Sequence, residues 1–281
     1  MGNIRLVASS LFALITLVAC GDDGGTTTLI DSGIVDAPPV DSAPPIDQPP
    51  PITYDVSCHN NAAPTDIDAT VTVSGTTQSA NVVAMSLGPT DGVTLTACKG
   101  DCIAGNNLGQ VGPTDATGNF TTPALATNGV ALDGYLKATK AQQWDTYLYP
   151  HAALAKSLNG APVLIVNQGL VNLIGMFVDA QELGNGILGV AITDCSTTTT
   201  GVSGATISVT AGGVAVGDPA FDVGALAGDQ AAGVYLITNV PPGEVIVTAT
   251  YNQGGTNYTF LANNVTIYAN ALTTAQVRPG Y

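Results

Sequence analysis

The 281-residue sequence predicts an all-β body of two β-sandwiches joined by one amphipathic helix and set behind an extended tether. Three observations lead there. From Val56 onward, strand-like runs alternate with period two and are broken every 8–12 residues or so by Gly, Asn, Asp and Pro. Charged residues make up only 10%, so the Glu, Lys and Arg that clothe surface helices are scarce, while 45% apolar residues are enough for a core. Before Val56 the composition is different, dominated by Asp and Pro with no strand pattern.

Residues 1–19 carry one basic residue, Arg5, and then an apolar run from Leu6 to Ala19. That run is shorter than the roughly 20 residues needed to cross a bilayer and has the layout of a secretory signal. Leu17-Val18-Ala19-Cys20 resembles the lipobox of bacterial lipoproteins. The resemblance implies cleavage before Cys20, lipidation of that cysteine, and firm membrane attachment, since two or more acyl chains hold where one barely does. Gly21 rather than Asp follows the cysteine, which in the lipoprotein sorting pattern points to the outer membrane.

Residues 20–55 form the tether. Asp31, Asp36, Asp41 and Asp47 alternate with Pro38-Pro39, Pro44-Pro45 and Pro49-Pro50-Pro51, with no basic residue among them. Carboxylates repel and proline favours the polyproline helix, so the segment is expected to be disordered, extended and coreless, reaching on the order of 100 Å.

The first sandwich is expected over residues 56–155, with Ala69-Thr70-Val71-Thr72-Val73 and Val93-Thr94-Leu95-Thr96 as half-buried strands. Residues 156–186 form the connector. Within it Leu170, Leu173, Ile174, Phe177 and Val178 share helical spacing from Asn167, a natural N-cap, to Ala180, with Gly184 and Gly186 beyond. The second sandwich spans 187–281. Thr206-Ile207-Ser208-Val209-Thr210 alternates, and the run from Gly243 to Thr250 puts Val245, Val247 and Ala249 on one face.

An internal echo relates the two units. Gly118-Asn119-Phe120 is followed by Gly134-Tyr135-Leu136-Lys137-Ala138-Thr139, and Gly233-Val234-Tyr235 by Gly243-Glu244-Val245-Ile246-Val247-Thr248. With Gly204-Ala205-Thr206-Ile207 and the Val240-Pro241-Pro242-Gly243 turn, these residues resemble carboxypeptidase regulatory-like domains. The resemblance implies a transthyretin-like (prealbumin-like) sandwich for each unit. It covers most of the second and chiefly residues 115–139 of the first, where the glycines stand 16 apart instead of 10. The family is also similar to collagen-adhesin B-type repeats, some of which form a Lys–Asn isopeptide bond. The second unit has no lysine for that bond, and Lys137 of the first reads more simply as a surface or snorkelling lysine.

Beyond Cys20 there are four cysteines, Cys58, Cys98, Cys102 and Cys195. An even number in an exported chain indicates two disulfides, of three connectivities. The local pairing Cys98–Cys102, leaving Cys58 for Cys195, is favoured. A zinc site from Cys58, His59, Cys98 and Cys102 has acceptable ligand types, but an oxidising compartment favours disulfides.

Net charge is −15, and removal of Arg5 leaves five basic against 21 acidic residues, or −16. This excludes a nucleic-acid partner, which needs clustered Lys and Arg. Catalytic motifs are absent from the sequence, His59 and His151 are the only histidines, and Glu182 and Glu244 the only glutamates. No enzyme activity, catalytic residue, metal or cofactor is expected. Trp144, Tyr147 and Tyr149 form the one aromatic cluster, and as an exposed face they would serve as a ligand contact. The sequence therefore points to a lipid-anchored cell-envelope module, structural or binding an unknown envelope protein. The alternative is a glycan-binding module that uses those rings, and ring exposure separates the two.

Overall fold

The computed structural model describes residues 53–81, 86–103, 105–196, 200–227 and 231–281. The signal, Cys20 and nearly all of the tether lie outside the described residues. What is described is mostly β-sheet. The first lobe contains β1 (Thr70–Val71), β2 (Val73–Asn81), β3 (Ser86–Pro89), β4 (Thr94–Cys98), β5 (Asn107–Val111), β6 (Asn119–Thr121), β7 (Leu125–Ala126), β8 (Tyr135–Thr139), β9 (Thr146–Tyr149) and β10 (Leu158–Ile165). Helix α1 (Gln168–Ile174) follows. The second lobe contains β11 (Gly186–Ile192), β12 (Thr206–Ala211), β13 (Val214–Ala215), β14 (Phe221–Asp222), α2 (Gly224–Ala227), β15 (Val234–Val240), β16 (Gly243–Gln253), β17 (Thr256–Thr259), β18 (Asn263–Ile267) and β19 (Leu272–Val277).

The lobes are not two separate sandwiches linked by a helix, as the sequence had led one to expect. They share one eight-stranded sheet, in the order β14-β15-β11-β19-β9-β8-β4-β5. The join is β9 of the first lobe running parallel to β19 of the second, with Thr273 opposite Tyr147 and Ala275 opposite Tyr149. A sheet with buried parallel pairs needs cover on both faces. Sheet β10-β2-β3, with β6 also on β2, covers one face at the first-lobe end and encloses Val71, Leu95, Leu136 and Val163. Sheet β13-β12-β16-β17, with β18 also on β16, covers the opposite face at the second-lobe end and encloses Leu188, Val190, Val247 and Ile267. Helix α1 fills the face this second sheet leaves bare, packing Leu170 and Val171 against Ile187 and Leu272.

Alternation explains the arrangement. Leu136 enters the first core while its neighbour Tyr135 enters the second, because successive side chains leave opposite faces of a strand. Ile187 and Leu188 divide in the same way between the helix side and the second core.

Two expected boundaries move. Residues 158–165, placed in the connector, form β10, which pairs in parallel with β2, Val163 lying opposite Thr77. Gly75 permits that pairing, since a Cβ there would fall on the carbonyl of Ala161. The helix begins as expected, with Asn167 Oδ1 accepting from Leu170 N at 2.8 Å. It closes early, however, at Gly175, whose N–H donates to Val171 O at 3.0 Å while Met176 N donates to Leu173 O at 3.1 Å. Phe177, expected on the buried face, is therefore 43% exposed.

The start of the folded body also moves. Tyr54, assigned to the tether, is 6% exposed in the second core, and the segment from Tyr54 to Cys58 lies on the second lobe rather than the first. Gln253 holds it on both sides: Tyr54 N donates to Gln253 Oε1 at 2.8 Å, and Gln253 Nε2 donates to Tyr54 O at 3.2 Å.

The sequence echo has a local cause and an unexpected use. Gly118 and Gly233 both take positive φ, 67° and 73°, where a side chain is strained, and each introduces a strand. The strand after Gly118 joins the first lobe's outer sheet, and the next echo strand, β8, joins the shared sheet. In the second lobe the order is reversed, with β15 in the shared sheet and β16 in the outer one. The two related strand pairs are thus used inside out, matching the packing of the lobes on opposite faces.

Candidate functional site in the cleft between the lobes

Packing the lobes on opposite faces leaves part of β4 and β8 uncovered where they approach the second lobe's outer sheet. A cleft of about 720 Å³ opens there. Its second-lobe wall comes from strand pairing. Ile246 of β16 lies between Thr210 of β12 and Asn264 of β18, and Glu244 lies opposite Thr266. Along β16 the inward residues Val245 and Val247 are buried, so Glu244 and Ile246 face outward, Ile246 with 43% exposure. The wall has an apolar centre flanked by an amide, hydroxyls and a carboxylate.

The first-lobe wall is the hairpin after β4, which contributes Lys99 and Asn106, together with Asp133. Several bonds hold this hairpin. Cys98 and Cys102 are joined by a disulfide, Lys99 N donates to Asn106 O at 2.8 Å, and Asn106 Nδ2 donates to Asp101 Oδ1 at 2.6 Å. From below, Tyr135 Oη donates to Gly100 O at 2.7 Å.

Tyr135 and Tyr149 form the floor. Their rings stack with centroids 4.9 Å apart, and Tyr135 Oη lies 3.0 Å from Tyr268 Oη of the second lobe. Burial, more than any neighbouring charge, raises the pKa of both phenols well above the usual value, so the floor stays neutral. The Tyr149 hydroxyl is buried without a hydrogen-bond partner among the described residues.

The aromatic cluster, which would have to be exposed to act as a ligand contact, is largely interior. Tyr147 and Tyr149 are 5% and 8% exposed. Both leave the shared sheet on the face that meets the second lobe, where they join Tyr135 and Tyr268. Trp144 is half-buried, donates its backbone N–H to Val166 O at 2.8 Å, and packs with the α1 cluster. The three residues present no common outer face. Only Tyr149 reaches the cleft, as part of its floor. Of the outward residues, the sequence marked Glu244 only as one of two glutamates, and it marked Ile246, Asn264 and Thr210 for no ligand role. The signal was present in the alternation of β16, whose complementary face was read only for its buried side.

The four cysteines form two bridges, Cys58–Cys195 and Cys98–Cys102, with Cα atoms 5.6 and 4.8 Å apart. The zinc alternative fails on this geometry, because its cysteines divide between different bridges. His59 instead packs edge-on to Tyr258 and contacts Thr259 O at 3.1 Å. Lys137 pairs with Asp145 at 2.9 Å beside the Tyr147 ring. His151 stands apart from the cleft, near Arg278 and Gln276. No helix among the described residues is long and apolar enough to cross a membrane.

No family model matches the chain, and no curated protein does. Among solved structures, the minor pilin of Streptococcus agalactiae is 12% identical, with 74% of this chain and 95% of that one covered and a TM-score of 0.25. A streptococcal ancillary pilin is 13% identical, covering 75% and 62% with a TM-score of 0.23. A candidate cell adhesion protein of Bacteroides fragilis is 14% identical, covering 81% and 91% with a TM-score of 0.19. Likeness at this level does not extend to function.

Proposed function

We propose that this protein is a non-catalytic module of the bacterial cell envelope, lipid-anchored at the outer membrane through Cys20, that binds a protein partner in the interlobe cleft. The cleft carries this reading. Its apolar centre at Ile246 within a polar surround of Asn264, Thr210 and Glu244 follows the anatomy of a protein interface. Its charged side chains are the exposed Lys99, Asp133 and Glu244, and no histidine lines it among the described residues, a poor setting for acid–base chemistry.

Pull-downs from cell-envelope extract test the proposal, using the full chain and an Ile246→Glu variant. A partner retained by the native protein and lost by the variant, with unchanged circular dichroism, supports the cleft. Equal capture by both places the interface elsewhere. A glycan ligand would be held by the amides and hydroxyls of the same cleft above its tyrosine floor. Capture abolished by deglycosylating the extract would favour that second reading.

A further inference from the structure

We infer that the Cys58–Cys195 bridge makes the second lobe the load-bearing one and takes the whole first lobe out of the path of a pull between the amino-terminal side and any point beyond Cys195. The argument is topological and does not depend on the lipid anchor. A chain held before Tyr54 enters the body on the second lobe, where Tyr54 is buried and Ser203 N donates to its hydroxyl at 3.1 Å. Asp55 continues the attachment, its carbonyl accepting from Cys195 N at 2.8 Å and its N–H donating to Asp194 Oδ2 at 3.3 Å. Three residues further on, Cys58 is bonded covalently to Cys195.

The bridge closes a loop with a sequence separation of 137, which contains every strand of the first lobe, α1 and β11. Tension between the amino-terminal side and any point beyond Cys195 crosses the sulfur–sulfur bond and leaves that loop slack. Residues beyond Cys195 then carry it. Asp194, next to the bridge, is tied to the last strand by Arg278, whose Nε and Nη2 both donate to Asp194 O at 3.2 and 3.1 Å. The segment after β19 is seated there too. Gly280 packs against the carbonyl of Cys58 so closely that a Cβ would overlap it, and Asn60 N donates to Pro279 O at 3.4 Å. A pull between the amino-terminal side and the segment after β19 therefore enters and leaves the second lobe at one place, and the first lobe, with its cleft hairpin, is spared extension.

Single-molecule pulling tests this on the full chain carrying Cys20→Ser, with handles at both termini. In the oxidised protein the folded body should release at most roughly 280–310 Å of contour, the length of the residues beyond Cys195. Adding reductant to the same molecules should release roughly 450–490 Å more, the length of the closed loop. The Cys98–Cys102 bridge lies inside that loop and spans four residues, so its reduction hardly alters the reading. A Cys58→Ser, Cys195→Ser variant should give the long release without reductant. If that variant does not fold, the in-place reduction still decides. Full-length release from oxidised molecules, or no gain on reduction, would overturn the inference.

Discussion

Tyr147 of the first lobe and Tyr268 of the second lie ring on ring, their centroids 3.8 Å apart and their planes 12° from parallel. Tyr147 leaves β9, the strand that joins the lobes, and Tyr268 leaves the turn after β18, the strand whose Asn264 and Thr266 line the cleft. The stack ties the two cleft walls together. Asn263 supports the same junction by donating to Pro150 O at 2.8 Å and to Gln276 O at 2.9 Å.

If the stack couples the lobes, Tyr147→Ala should cost about 3 kcal/mol in urea unfolding, as truncation of a large buried ring does. In a double-mutant cycle with Tyr268→Ala, the pair should show a coupling of about 1 kcal/mol. Strictly additive losses would mean that the two rings are stabilised independently.

The two bridges should differ in thermodynamic weight. Loss of Cys58–Cys195 frees a loop with a separation of 137 and should lower stability by about 3–5 kcal/mol, whereas loss of Cys98–Cys102, separation 4, should cost about 2 kcal/mol. Urea midpoints of the two double-serine variants give the comparison. Equal losses would contradict the chain-entropy account.

Stability should fall in mild acid because of His151. Burial, and then the positive Arg278 guanidinium, lower its pKa from 6.5 to about 4, while a hydrogen bond with Gln276 opposes the shift. Between those values the unfolded chain binds a proton that the folded chain refuses. The stabilisation is therefore full above about pH 6.5, drains away as the pH falls towards 4, and changes no further below that. The part-exposed ring limits the loss to about 2–3 kcal/mol. His151→Gln should flatten this part of the profile, and an unchanged slope would assign the acid sensitivity to other groups.

The anchor makes a separate prediction. Cys20→Ala should abolish labelling with a lipid precursor and move the protein out of the membrane fraction. Unaltered membrane retention would overturn the lipid anchor and leave the cleft reading intact.

The sequence by itself determined the all-β class, because period-two alternation in runs such as Thr206–Ala211 and Gly243–Gln253 fits no other element. It also marked the N-cap at Asn167 and the paired turns at Gly118 and Gly233, since both are local demands on the backbone. Only the tertiary structure decided which sheet each strand joins. Alternation says that Tyr135 and Leu136 face opposite ways, but not that a different core lies on each side. That is why Tyr147 and Tyr149, legible as an aromatic face, proved to be the seam between the lobes. Parallel pairing of β9 with β19 joins residues more than 120 positions apart, and no local pattern encodes such a partner. The cleft exists only because of that pairing, which brings the hairpin after β4 opposite the outward face of β16.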